Sequence, residues 1–136
     1  MTPYLQPFTQ FLNARRIPFE WLDEHAVRIT YRGRQMANIP FICLFDDEGD
    51  NTVQLFCNTI ARFNDDNFIA GVAECNDCNI NYKFIRFYMD NSMDVVVNYD
   101  MKLRHPGFGD EIIEMLNIMA EIIDTVHPDF MKAMWG

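Results

Sequence analysis

The sequence lacks the features by which many proteins reveal their location. The first residues carry no charged segment followed by an apolar run, as a secretory signal peptide would. Nowhere do about 18 apolar residues follow one another, as a membrane span requires. We therefore expect a cytoplasmic protein with no membrane partner, in a compartment where cysteines stay reduced.

The chain also lacks repeats, low-complexity segments and linkers rich in glycine, serine or proline, and it contains only six glycines and six prolines. A length of 136 residues, of which 49% are hydrophobic and 14% aromatic, is enough for one packed core without disulfides. We therefore expect a single domain over residues 1–136.

Basic residues are few: 11 lysines and arginines stand against 20 aspartates and glutamates, a formal net charge of -9. A protein that binds phosphate backbones needs an electropositive surface. The composition therefore argues against nucleic acid as a partner.

Catalytic motifs are missing as well. The chain has no G-x-S-x-G, no P-loop and no G-x-G-x-x-G, and its histidines (His25, His105 and His127) are not spaced as a helical pair. The acidic loop DDEGDN is typical of a hairpin; it does not fit a calcium loop, because the twelfth position from Asp46 is Cys57 rather than a glutamate. We assign no catalytic, cofactor-binding or metal-binding residue and no cofactor, although a site assembled from distant residues would leave no motif.

The apolar periodicity predicts nine elements. We expect helices at about 7–17, 64–75 and 110–126, and strands at 19–22, 27–32, 39–45, 52–57, 82–89 and 92–101. The order α-β-β-β-β-α-β-β-α indicates an α+β domain in which helices pack on an antiparallel sheet of about six strands.

Two helices carry details that the structure can test. In the second, Asn64 is the expected cap, and Phe68, Val72 and Cys75 are the expected buried stripe. The last helix should end at His127-Pro128. It carries more apolar surface than one sheet face needs, so its stripe either lies in the core or forms part of a dimer seam. The stripe consists of Ile112, Leu116, Met119, Ile123 and Val126, flanked by Ile113, Met115 and Ile122.

Cys75 and Cys78 have a C-x-x-C spacing that permits three interpretations. A redox pair needs its reactive cysteine at a helix N-terminus, whereas these cysteines fall at the C-terminal end of the predicted helix. A zinc site would need two more ligands, for which Cys43 and Cys57 are candidates. Strand parity instead places Cys43 and Cys57 among core residues, which favours buried, reduced thiols for all four.

The element order, the junction ECNDCNINYKFIRFYMD and the ending IIDTVHPDFMKAMW resemble the bacterial YbjN-like family of sensory-transduction regulators, whose fold is similar to that of type III secretion chaperones. The residues that carry the resemblance are Asn76, Asn79, Asn81, Asp124, Pro128 and Trp135. The resemblance implies an acidic, dimeric protein that binds other proteins.

Two functions follow as hypotheses. The first is a non-enzymatic, chaperone-like or regulatory module that binds another protein or a peptide segment and acts as a homodimer. The alternative is a metal-binding or redox-sensing protein that uses Cys75 and Cys78.

Overall fold

The computed structural model describes residues 3–46, 49, 51–104 and 106–136. Half of the acidic loop (residues 47, 48 and 50) and His105 therefore lie outside the described residues. The elements, in chain order, are α1 (Leu5–Ala14), β1 (Glu20–Trp21), β2 (Ala26–Tyr31), β3 (Ile39–Asp46), β4 (Thr52–Cys57), α2 (Phe68–Asn81), β5 (Arg86–Met89), β6 (Val95–Lys102) and α3 (Phe108–Trp135). The predicted α+β class and the predicted element order are confirmed.

The six strands form one antiparallel sheet in the order β1-β2-β3-β4-β6-β5. The first four strands pair with their neighbours in sequence. Helix α2 then crosses over, so that β6 pairs with β4 and β5 lies at the edge. Alternating burial along β3, from Ile39 to Phe45, matches the period of two expected for a strand with one buried face.

The helices cover the same face of the sheet. Buried residues of all three helices join the inward residues of the strands in one hydrophobic cluster. Phe8 of α1 lies 5.4 Å from Phe45, measured between ring centroids, and Phe87 of β5 stacks on Phe130 of α3 at 6.1 Å. The opposite face of the sheet contributes no residue to this cluster, and we call it the open face.

Helix α3 ends later than predicted, and its apolar stripe lies in the core. It continues through Pro128 to Trp135, instead of ending at His127. Proline removes one backbone hydrogen bond, but the following turn is anchored because Phe130 is fully buried against Phe87. The predicted stripe is core, since Leu116 and Ile123 have no exposed surface. Of the two uses left open for this stripe, burial in the core is the one observed.

Helix α2 is longer than predicted, and a different side of it from the predicted one is buried. Its N-cap is Asn67 rather than Asn64, and it ends at Asn81. The buried side consists of Gly71, Cys75 and Cys78, whereas the expected inward residues Phe68 and Val72 are exposed. The reason is a close approach: a Cβ at Gly71 would lie 2.6 Å from the Cε of Met89 and 2.8 Å from the ring of Phe63. The helix therefore packs by its small side chains.

Asp124 fixes α3 to the loop between β2 and β3. Its carboxylate accepts hydrogen bonds from the backbone N–H groups of Arg34, Gln35 and Met36 at 3.0, 2.8 and 2.9 Å. These bonds, with that of Met36 the most important, lower the pKa of Asp124. A side chain at Gly33 would collide with this carboxylate.

Candidate protein-binding surfaces

The first surface is a row of apolar side chains on the outside of α2. Because α2 packs by its small residues, Ile69, Val72 and Ile80 point away from the sheet, and Ile69 and Ile80 are 72% and 74% exposed. The spacings of three and eight residues place them on one side of the helix. With Phe84, which follows the helix and is 78% exposed, they form what we call the α2 stripe.

Phe84 is held outward by a strained turn. The N–H of Ile85 donates to the carbonyl of Lys83 at 2.9 Å, and Phe84 between them has a φ of 74°. This is a γ-turn of the rare type, and positive φ is unusual for an aromatic residue. The ring of Phe84 is therefore exposed to solvent, and its backbone keeps a strained conformation with positive φ.

Acidic residues lie beside the α2 stripe, on the side that faces α3. Burial raises the pKa of Glu74, and the negative charges of Asp129 and Asp77 raise it further. These carboxylates are therefore close enough to repel one another. A cationic side chain placed beside them would relieve that repulsion.

Asn79 joins α2 to the edge of the sheet. Its side-chain oxygen accepts from the N–H of Phe87 at 2.7 Å, and its side-chain nitrogen donates to the carbonyl of Phe87 at 2.9 Å. The amide thus occupies the two groups that a neighbouring strand would bind. Of the three asparagines in the predicted junction, Asn79 therefore has a defined role, and it lies inside the helix.

The second surface is the open face of the sheet. Strand register places one residue of each strand in a row across it, in the order Glu20, Arg28, Ile42, Phe56, Asn98 and Arg86. The two central residues are apolar and half-buried. Pro40, Leu44 and Val96 extend this apolar centre along the strands, since they lie two residues from members of the row.

Each end of this row carries an arginine held by a carboxylate. At one edge, Nη1 of Arg28 lies 3.2 Å from Oε2 of Glu20. At the other, Nη2 of Arg86 lies 3.2 Å from Oδ2 of Asp100 and donates to the side chain of Asn98. The open face therefore has an apolar centre with an ion pair at either end.

Two shallow depressions mark the two halves of the open face. One, of about 360 Å³, lies over Arg28, Pro40 and Ile42. The other, of about 200 Å³, lies over Phe56 and Val96, and Asn58 borders both. Neither depression brings together the nucleophile, base and oxyanion donors of a hydrolytic site.

The four cysteines are free and buried, as strand parity predicted for Cys43 and Cys57. Burial raises the pKa of Cys43 to about 12 and, with the nearby charge of Glu74, that of Cys75 to about 11 and that of Cys78 to about 12. A reactive cysteine requires a shift in the opposite direction. Within the described residues, no group of three or more cysteine, histidine or acidic side chains is arranged to hold a metal ion.

Three helices on one face of a six-stranded antiparallel sheet, with exposed apolar surfaces, define a small α+β domain of a kind suited to binding other molecules. The family model of YbjN, described as "Putative bacterial sensory transduction regulator", matches residues 7–131. The chain belongs to the YbjN family, as its sequence resemblance indicated.

The fold also has a solved counterpart. The chain is similar to the structure titled "Crystal structure of YbjN, a putative transcription regulator from E. coli", with a TM-score of 0.68, 11% sequence identity and coverage of 92% of each chain. At this identity the likeness shows the fold alone. A search of the curated proteins found no match. The expected similarity to type III secretion chaperones stays a prediction.

No helix within the described ranges is long and apolar enough to cross a membrane. Membership of a regulator family, together with these surfaces, supports a regulatory or binding role rather than a catalytic one.

Sequence reasoning missed both surfaces. It placed Phe68 and Val72 inside, and it assigned the surplus apolar area to α3. The available signal was Gly71 between Cys75 and the helix start, since glycine inside a helix often marks a close approach.

Proposed function

We propose that this protein is a non-enzymatic regulator that acts by binding another protein, and that it works as a homodimer in the cytoplasm. The observation that carries the proposal is the α2 stripe, where Ile69, Ile80 and Phe84 are each more than 70% exposed on one side of the domain. Single exposed apolar residues are ordinary, but several large ones on the same side of a helix are typical of a binding surface.

The partner docks on the α2 stripe through apolar side chains flanked by lysine or arginine. Glu74, Asp77 and Asp129 border the stripe, so a basic flank would be attracted and an acidic one repelled. A second copy of this chain is a poor occupant, because two α2 helices paired antiparallel about a two-fold axis would bring their acidic sides together. The strained turn at Phe84 supports the same assignment, since strain of this kind is concentrated at functional positions.

The net charge of -9 directs the proposal toward proteins rather than nucleic acids. The name of the structural counterpart refers to transcription; for this chain we propose an effect on regulation through a protein partner.

The experiment compares capture by variants with unchanged net charge. The α2 variant carries Ile69→Glu and Ile80→Lys, which disrupt the α2 stripe. The α3 variant carries Asn117→Lys and Ile118→Glu, which add the same two charges at exposed positions of α3. Proteins captured from a bacterial lysate by the wild type are identified by mass spectrometry and purified, and their capture by the α2 variant and the α3 variant is compared.

Titration of a captured protein then gives the dissociation constant. We expect the α2 variant to bind about tenfold or more weakly, as removal of central apolar contacts commonly does, and the α3 variant to bind as the wild type does. Affinity should also fall with added salt, because Asp77 and Asp129 beside the stripe are exposed. Equal binding by the α2 variant and the wild type would overturn the assignment of the stripe.

A further inference from the structure

We infer that the homodimer forms through the open face, by packing of the sheet against the sheet of a second copy. This inference deepens the proposed function, since it rests on the homodimer and names its interface. The open face is available because the helices lie on the other side, and it presents a half-buried apolar centre of Pro40, Ile42, Leu44 and Phe56.

The arrangement of charges on the open face is complementary to itself. Across the sheet the charges alternate, with Glu20 at one edge and Arg28 beside it, and with Arg86 at the other edge and Asp100 beside it. Six strands have their midpoint between β3 and β4. Rotation by a half turn about an axis along the strands at this midpoint places β1 over β5 of the second copy and β2 over its β6.

Unlike charges meet in this orientation. The carboxylate of Glu20 lies over Arg86 of the partner subunit, and the guanidinium of Arg28 lies near Asp100 of the partner subunit. The same contacts recur at the other end, because a two-fold interface repeats each of them. A half turn about the perpendicular in-plane axis would instead place Arg28 over Arg28 of the partner subunit. Charge therefore selects the first orientation.

The apolar centre supplies the attraction. In the selected orientation Ile42 packs on Phe56 of the partner subunit, and Phe56 packs on Ile42 of the partner subunit. Sheets commonly pack face to face in this way with their strands nearly aligned. Exposed charge pairs contribute little affinity, so here they fix the orientation while the apolar centre is removed from water.

The size of the open face is near the lower limit for a stable interface. The six strands contain 34 residues, which at about 3.3 Å per residue and about 4.8 Å between strands cover roughly 540 Å² per copy. The two copies together bury about 1,100 Å², close to the lower limit of about 1,200 Å² for a specific and stable interface. We therefore expect a dimer whose population depends on protein concentration.

The test exchanges charges between two chains. Glu20→Arg alone places two arginines together at both ends of the dimer, and Arg86→Glu alone places two carboxylates together at both ends. An equimolar mixture of the two variants pairs unlike charges at both ends. Light scattering coupled to size exclusion, over a concentration series, gives the dissociation constant of each sample.

We expect each single variant to dimerise about tenfold or more weakly than the wild type, and the mixture to recover most of the loss. Glu121→Arg and Lys132→Glu, which change the net charge equally on α3, should dimerise as the wild type does. Phe56→Glu should give a monomer, and circular dichroism with urea unfolding establishes that each variant is folded.

The outcomes separate the two proposals. A wild type that stays monomeric overturns both the homodimer and its interface. A dimeric wild type whose variants show no rescue in the mixture, or whose Phe56→Glu variant is folded and still dimeric, overturns the interface alone. If the α2 variant loses the dimer while the charge variants keep it, the α2 stripe is the interface and the open face is not.

Discussion

Helix α3 buries nine of its 28 residues, whereas α2 buries three of its 14, although both carry large apolar side chains. Helix α3 faces the sheet with Ile112, Leu116 and Ile123, and α2 faces it with glycine and cysteine. The difference follows from how closely each helix approaches the elements it packs against. Where a helix lies close to its neighbours, small residues make the contact and the large ones are left outside. Apolar periodicity finds a stripe, but it does not decide which side of the helix is covered.

The largest effect is expected where α3 enters the core. Leu116→Ala should lower the free energy of unfolding by about 2–5 kcal/mol, because the residue has no exposed surface and its removal leaves a cavity. Urea denaturation measures this loss. A change as small as that of a surface substitution would show that the stripe of α3 is not core.

Asn79→Ala should have the next largest effect, about 1–3 kcal/mol, because the N–H and carbonyl of Phe87 lose their partners together. Asn76→Ala in the same helix is the matched control, since its exposed side chain has no recorded partner among the described residues. Equal unfolding free energies for the two variants would contradict the role given to Asn79.

Asp124→Asn should lower the free energy of unfolding by less than Asn79→Ala does, because asparagine keeps one acceptor oxygen for the loop. The folded state lowers the pKa of Asp124, so the carboxylate contributes stability above its unfolded pKa of about 3.9. That contribution is lost as the pH falls through the lower, folded pKa. The difference between wild type and variant should therefore shrink as the pH is lowered below about 4. A difference that grows on acidification would refute this explanation.

The smallest effect completes the comparison of the helices. Ile80→Ala on α2 should change the unfolding free energy by no more than about 0.5 kcal/mol, because its side chain is 74% exposed. Leu116→Ala, which also replaces a large aliphatic side chain with alanine, serves as the reference. A loss of several kcal/mol at Ile80 would place the α2 stripe in a folded interface within the chain.

The parts of the fold that could be predicted are those with a local cause. Strand β4 has its predicted bounds, because Val53, Leu55 and Cys57 alternate with residues of the open face. The stripe of α3 was predictable for the same reason, since spacings of three and four residues place Leu116 and Ile123 on one side.

The remainder depends on contacts between distant residues. The course of α3 beyond Pro128 is fixed by Phe87, more than forty residues earlier in the chain, through its contact with Phe130. The row across the open face exists only through strand register, which joins Glu20 to Arg28 and Asn98 to Arg86. The positive φ of Phe84 has no local sequence signal, because glycine or asparagine is the usual residue there.

The amide of Asn79 also limits how molecules of this protein can aggregate. A strand edge with free N–H and carbonyl groups can recruit a strand from another molecule, and repetition of that step produces fibres. Here Asn79 occupies the outward groups of Phe87 at one edge, and β1 at the other edge is only two residues long. Growth of the sheet by strand addition is therefore disfavoured at both ends. Contacts through faces and helices, which two-fold symmetry can close, remain as the route to assembly.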